Sequence, residues 1–181
     1  MITKRTINSA HETYSAKDIM GAFNMNKTKL IVVRDYQDAG KTTLIWMVFL
    51  ELVRLGAIVV DFYDTETAEK VYPAVLPNKE DRNDFKAILT WEGLSIVIIS
   101  FGDVERDVKN ALEKIMPTHP DYIICAASIR YWARTTWNLF EETYTNLEFE
   151  RVCFWSEHAV HELDEERVKR PTVEAIIKYM Q

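Results

Sequence analysis

The sequence predicts an α/β domain: a three-layer, mostly parallel sheet of about five strands with helices on both faces. Three observations predict it. Short runs that are apolar throughout recur along the chain, as strands buried on both faces require. Between them lie segments whose apolar residues return at helical spacing. The first apolar run also leads, through a polar loop ending Gly40-Lys41-Thr42-Thr43, straight into a strongly apolar helix.

At 181 residues the chain has the length of a single domain. With 48% hydrophobic and 28% charged residues it can bury a core without disulfides or a structural metal. The net charge of −6 argues against non-specific binding to nucleic acid or to an anionic membrane, since both need basic surface. Cys125 and Cys153 each sit inside an apolar run and read as buried thiols, which fits a reducing cytoplasm. The first 18 residues lack the apolar core of a signal peptide. Leu44 to Val60 is nearly all apolar, but Glu51, Arg54 and Gly56 interrupt it. A buried helix followed by a buried strand is expected there, not a membrane span.

Residues 1–28 are polar and weakly periodic and read as an N-terminal arm or short helix packed on the domain, which then covers 29–181. Leu30-Ile31-Val32-Val33 is the first strand. The helix Thr42 to Leu55 follows, with Gly56 placed as a helix C-terminal glycine. Ala57-Ile58-Val59-Val60 is the second strand. Asp64 to Asp84, with Pro73 and Pro77, is a mixed loop and helix region. Ala87 to Trp91 reads as a short strand and Leu94 to Phe101 as the clearest strand of the chain. Val104, Val108, Ala111, Leu112, Ile115 and Met116 recur as one face of a helix that Pro117 closes. Tyr122 to Ala127 is another buried strand. Thr136 to Tyr144 reads as a helix with Trp137, Phe140 and Tyr144 on one face, and Arg151 to Trp155 as the last strand. A C-terminal helix ends the chain, with Pro171 in its first turn and Val173, Ile176, Ile177 and Met180 on its buried face.

In open parallel sheets ligands bind beyond the carboxyl ends of the strands, so the residues just after each strand are the candidates. After the first strand comes Asp35-Tyr36-Gln37-Asp38-Ala39-Gly40-Lys41-Thr42-Thr43. This fits the Walker A pattern G-x-x-x-x-G-K-[ST] except that Asp35 stands for the first glycine. Between an apolar strand and an apolar helix, it resembles the P-loop nucleoside triphosphatase superfamily with a degenerate loop. The resemblance covers residues 30–64. It implies that the loop 37–43 (Gln37, Asp38, Ala39, Gly40, Lys41, Thr42 and Thr43) wraps the phosphates of a nucleotide. Lys41 would reach the β- and γ-oxygens, and Thr42 would ligate Mg²⁺. Glycine at the first position permits a tight turn, and an aspartate there places negative charge near a polyphosphate. A plain helix start, with Thr42 or Thr43 in its first turn, is the competing reading.

The second strand ends Asp61-Phe62-Tyr63-Asp64, a layout similar to the branch holding partition ATPases, iron-protein ATPases and small adaptor proteins of cofactor synthesis. The lysine that marks the partition group would fall at Tyr36, so that group is not assigned. A P-loop enzyme needs an acidic residue at the end of another strand to hold the metal or its waters. Asp103, after the strongest strand, is the first choice, and the N-cap of the following helix is its competing role. Asp61 and Asp64 are second choices, with a turn or surface role as the alternative. The guanine-reading [NT]-K-x-D motif is missing after residue 127, which favours ATP over GTP. Arg130 and Arg134, among aromatics, can clamp a base or phosphate, or lie at the surface. His158 and His161 between Glu157 and Glu162 have no evident third metal ligand.

The expectation is a Mg²⁺-dependent, ATP-binding P-loop protein, a slow NTPase or a small-substrate phosphotransferase. Lys41 would neutralise the transferring group, and Asp103 would orient the metal. The alternative is a non-enzymatic binding or regulatory module on a degenerate P-loop scaffold. Either takes a nucleoside triphosphate or a protein partner, in the cytoplasm, with neither membrane nor nucleic acid expected.

Overall fold

The computed structural model describes residues 27–36, 39–129, 135–142, 149–156 and 164–181. Gln37, Asp38, Arg130, Arg134, Tyr144, His158 and His161 therefore lie outside the described residues, as does nearly all of the N-terminal arm. Six strands form one sheet: β1 (Thr28–Asp35), β2 (Ile58–Asp64), β3 (Phe85–Trp91), β4 (Leu94–Ile99), β5 (Tyr122–Ser128) and β6 (Phe149–Trp155), in the order β2-β3-β4-β5-β1-β6. β1 pairs in parallel with β5 and β6, and β4 with β5, while β3 runs antiparallel to both β2 and β4. The sheet is mostly parallel as expected, and its six strands fall at the six apolar runs named from the sequence.

The uninterrupted apolar run of β1 has a simple cause. Successive side chains point to opposite faces of a strand. Ile31 and Val33 enter one core and Leu30 and Val32 the other. Helices α1 (Lys41–Arg54) and α4 (Glu165–Met180) cover the first face, and α2 (Glu105–Ile115) with α3 (Thr136–Glu142) covers the second. Three layers result. Cys125 and Cys153 flank Val32 from the two neighbouring strands, the first buried and the second half-buried, and both are free thiols. Among the described residues no helix is long and apolar enough to cross a membrane.

Gly56 closes α1 as expected. Its φ is +94°, its N–H donates to the Val53 carbonyl (3.0 Å), and the Ala57 N–H donates to Leu52 (2.9 Å). This is the paired bonding of a glycine-terminated helix.

Four expectations are corrected. β2 is an exposed edge strand, with Ile58 68% and Val60 64% exposed, and not a strand buried beside β1. An apolar run does not say whether both faces find a cover. Val104 is the exposed N-cap of α2, not part of its buried face, and the helix ends in a 3₁₀ turn at Met116–Thr118. The 64–84 region holds only a short 3₁₀ turn, Lys79–Asp81. Pro171 lies inside α4, not in its first turn, because the helix starts at Glu165. Proline there removes the bond to the Arg167 carbonyl, and the buried stripe of Val173, Ile176, Ile177 and Met180 holds the helix together past it.

The hairpin between β3 and β4 decides the geometry of the site. Glu92 and Gly93 have φ of +51° and +83°. Two successive left-handed residues make the tight turn whose twist suits a two-residue hairpin. Because β3 therefore runs against the parallel strands, it begins where they end. Asp84, just before β3, is delivered to the carboxyl edge of the sheet.

Candidate functional site

β1 reaches the carboxyl edge at Asp35, its last residue. Ala68, Glu92 and His119 are the non-glycine residues with positive φ among the described residues, so Asp35 needs no left-handed backbone. Aspartate fits there without strain, and the glycine expected at that point is not required for the turn. Its side chain is 8% exposed and accepts the Tyr36 N–H at 2.8 Å.

The loop ends at Gly40, whose φ of +75° and ψ of 29° are left-handed, and α1 begins without a side-chain cap. The first N–H groups of a helix have no partner within it, and they carry the positive end of its dipole. A Cβ on Gly40 would lie 2.6 Å from Glu165 Oε1 and 2.8 Å from Lys169 Nζ, so a larger residue there displaces the ends of two side chains of α4.

From this start the first three side chains of α1, all polar, diverge. Lys41, 6% exposed, donates from Nζ to the Tyr36 carbonyl at 2.7 Å and lies 3.5 Å from Asp103 Oδ1. Thr42 donates its hydroxyl to Asp84 Oδ1 at 3.0 Å. Thr43 turns away, its Oγ1 accepting from Arg82 (3.1 Å), which also pairs with Glu165 at 2.7 Å. Behind the loop, the Ala39 carbonyl accepts from Ser156 Oγ (3.0 Å) and from Lys169 Nζ (3.3 Å). Lys169 is itself buried and donates to the Ser156 carbonyl at 2.7 Å. The loop is thus anchored by β6 and α4, while Lys41 and Thr42 face the acids.

Asp84 is the acid that sequence reasoning missed. Ser100 donates its hydroxyl to the same Asp84 oxygen at 3.2 Å and accepts the Phe85 N–H at 2.7 Å. Burial pushes the Asp84 carboxyl above the usual carboxylate range; the hydroxyls of Thr42 and Ser100 work against this, and neighbouring Asp103 adds to it. The available signal was the Glu-Gly turn at 92–93, which marks a hairpin and so reverses β3.

Asp103 is not the N-cap of α2. That position is Val104, and the Asp103 carboxylate turns to Lys41 instead. Asp84, Asp103 and Asp107 line one cavity of about 340 Å³, together with Thr65, Phe101 and Val104. Lys41, Thr42 and Asp103 are therefore brought together. Asp61 is not: it is exposed on β2, with β3, β4 and β5 between it and β1, on the order of 19 Å across the sheet. Asp64 serves its turn. Burial raises its carboxyl, but hydrogen bonds from Thr67, Glu66 and Asn83 outweigh that and hold it below the usual range.

No three His, Cys, Asp or Glu side chains among the described residues form a ready-made metal site. The oxygen donors Thr42, Asp84 and Asp103 fit a hard cation that completes its shell with phosphate oxygens and water, which is the habit of Mg²⁺. The chain matches no family model, no curated protein and no solved structure.

Proposed function

We propose that the protein binds ATP with Mg²⁺ at the start of α1 and either hydrolyses it slowly or passes its terminal phosphoryl group to a small acceptor. The observation that carries this reading is the convergence of Lys41, Thr42, Asp84 and Asp103 at the carboxyl edge of a parallel sheet, beside an uncapped helix N-terminus. Lys41 would exchange the Tyr36 carbonyl for phosphate oxygens. Thr42 would present its oxygen to the metal, with Asp84 holding the hydroxyl and Asp103 binding metal waters. Bound Mg²⁺ would offset the charge that develops on the transferring phosphoryl group. The protein's own part is positioning and charge, not covalent chemistry.

Asp35 favours a second reading, a non-enzymatic regulatory module on the same scaffold. Its carboxylate takes the Tyr36 N–H and sets a negative charge at the loop. Titration calorimetry with ATP, GTP and non-hydrolysable analogues, with and without Mg²⁺, separates the two when run on wild type and Lys41→Ala. Mg²⁺-dependent binding that disappears in the variant supports the first. Absence of binding by the wild type at millimolar nucleotide removes it and leaves the second.

A further inference from the structure

A second cavity, of about 590 Å³, opens beside the first, under the loop that joins β2 to β3. Its floor is aromatic. Trp46 and Phe62 are buried there, with the Trp46 indole N–H fixed on the Asn83 carbonyl at 3.0 Å. Tyr72 stands against Phe49 and Phe62 at ring separations of 5.3 and 5.8 Å, which fixes its orientation. Val71, on the wall, is 79% exposed, an apolar surface without a cover. The volume is that of a small-molecule site, and such sites combine an apolar floor with a few polar groups that select the ligand.

The charged groups here are of one sign. Asp64, Glu69, Glu80 and Asp81 line the cleft, and among the described residues no lysine, arginine or histidine does. The Asp64 oxygens are already taken by the N–H groups of Glu66 and Thr67 and by Asn83. The carboxylates of Glu69, Glu80 and Asp81 make no ion pair among the described residues. Arg82, the chain neighbour of Asp81 and Asn83, is committed elsewhere, to the Pro77 carbonyl (2.7 Å), Thr43 and Glu165. Tyr72 is the half-buried ring of the lining, and an accessible ring beside carboxylates is the chemistry that holds organic cations: the ring face attracts the positive charge and the carboxylate neutralises it.

We propose that this cleft is a binding site for a small organic cation with an apolar body, an arylalkylamine or a molecule of that class. The site is built next to the phosphate-loop cavity. Asp64 and Asn83 line the cleft while their chain neighbours Thr65 and Asp84 line the other cavity. The wall between them is cross-linked by Thr65, whose N–H and hydroxyl both donate to the Asp84 carbonyl, at 2.8 and 2.7 Å.

The test is titration calorimetry of the full chain with 2-phenylethylammonium, with 2-phenylethanol as its neutral counterpart and 3-phenylpropionate as its anionic one. The amine is expected to bind saturably and the other two at least about tenfold more weakly. The Glu80→Gln/Asp81→Asn double variant, at an exposed turn, should keep its fold and lose about tenfold in amine affinity, and Lys41→Ala should bind the amine unchanged. Failure of the nucleotide reading leaves this result untouched, since Lys41 is not in the cleft. Any of three results overturns the proposal: no saturable amine binding, equal binding of the alcohol or the acid, or undiminished affinity in the double variant.

Discussion

Thr42 and Asp84, 42 residues apart, meet at 3.0 Å at the start of α1. The hydroxyl comes from the first turn of α1, and the carboxylate from the residue before β3. Neither position alone carries chemistry. Together they set a hydroxyl oxygen and a buried carboxylate side by side, with the Ser100 hydroxyl holding the same oxygen from behind.

Asp84→Asn is expected to stabilise the fold and weaken function. Burial raises the Asp84 carboxyl above its ordinary value. The stability tied to this group is therefore fully present below the unfolded-state pKa and is lost as the pH rises through the higher folded one. Asparagine keeps the oxygen that Thr42 and Ser100 bond to, and it carries no charge. Thermal melts should show the variant above wild type at neutral pH, with the gap closing as the pH falls into the carboxylate range. Mg²⁺-nucleotide affinity should fall by about tenfold or more if the carboxylate serves the metal. A lower melting temperature at neutral pH would contradict the burial argument.

Lys41→Ala acts on two accounts. It removes the charge that the proposed function aims at phosphates, and it leaves the Tyr36 carbonyl with the Ala39 N–H at 3.4 Å but without the 2.7 Å bond from Lys41. Losing one bond at a carbonyl that keeps another donor costs about 0.5–1.5 kcal/mol. Denaturant titration should register that loss without nucleotide present, and calorimetry should register the loss of nucleotide binding separately. Asp103→Asn, by contrast, is about half exposed and should leave stability nearly unchanged.

The parts of this arrangement differ in how plainly the chain announces them. β1, β4 and β5 were legible because their residues feed two cores at once and so cannot alternate. Gly40-Lys41-Thr42 was legible because strand, loop and helix follow without a gap. β2 is not legible as an edge strand because Ile58 and Val60 are as apolar as Ile31 and Val33, and only the sheet order shows that none of the described residues covers them. Asp84 is not legible for a topological reason: a residue before a strand lies at the wrong edge of the sheet unless that strand is known to run antiparallel. Lys169 was passed over although it falls four residues before Val173, on the buried stripe of α4.

Gly40 and Gly56 offer a controlled comparison. Both have positive φ, +75° and +94°. A Cβ at Gly56 meets nothing within 4 Å, whereas one at Gly40 meets Glu165 and Lys169 inside 3 Å. Gly56→Ala should cost about 1 kcal/mol, the backbone strain alone. Gly40→Ala carries the same strain plus the displacement of two side chains, and should cost about 1–2 kcal/mol more. Urea titrations of the two variants read the difference directly, and equal losses would mean that α4 yields freely.

Lys169→Met tests whether the rear of the loop governs its front. The Lys169 ammonium is buried and bonds the Ala39 carbonyl, the Ser156 carbonyl and the Ser156 hydroxyl. Methionine retains most of the chain's volume but none of these donors, so two carbonyls lose partners that water cannot easily replace. Ser156 Oγ still reaches Ala39 at 3.0 Å, which leaves the loop held by one bond in place of two. A stability loss of about 2–4 kcal/mol is expected. Amide exchange at Ala39 and Gly40 should accelerate more than exchange in β5, because the opening is local. Nucleotide affinity should fall although Lys169 points away from the cavity, since a loop that must be reordered on binding binds less tightly. Stability loss without faster exchange at the loop would place Lys169 in the core alone, and would detach the C-terminal helix from any part in ligand binding.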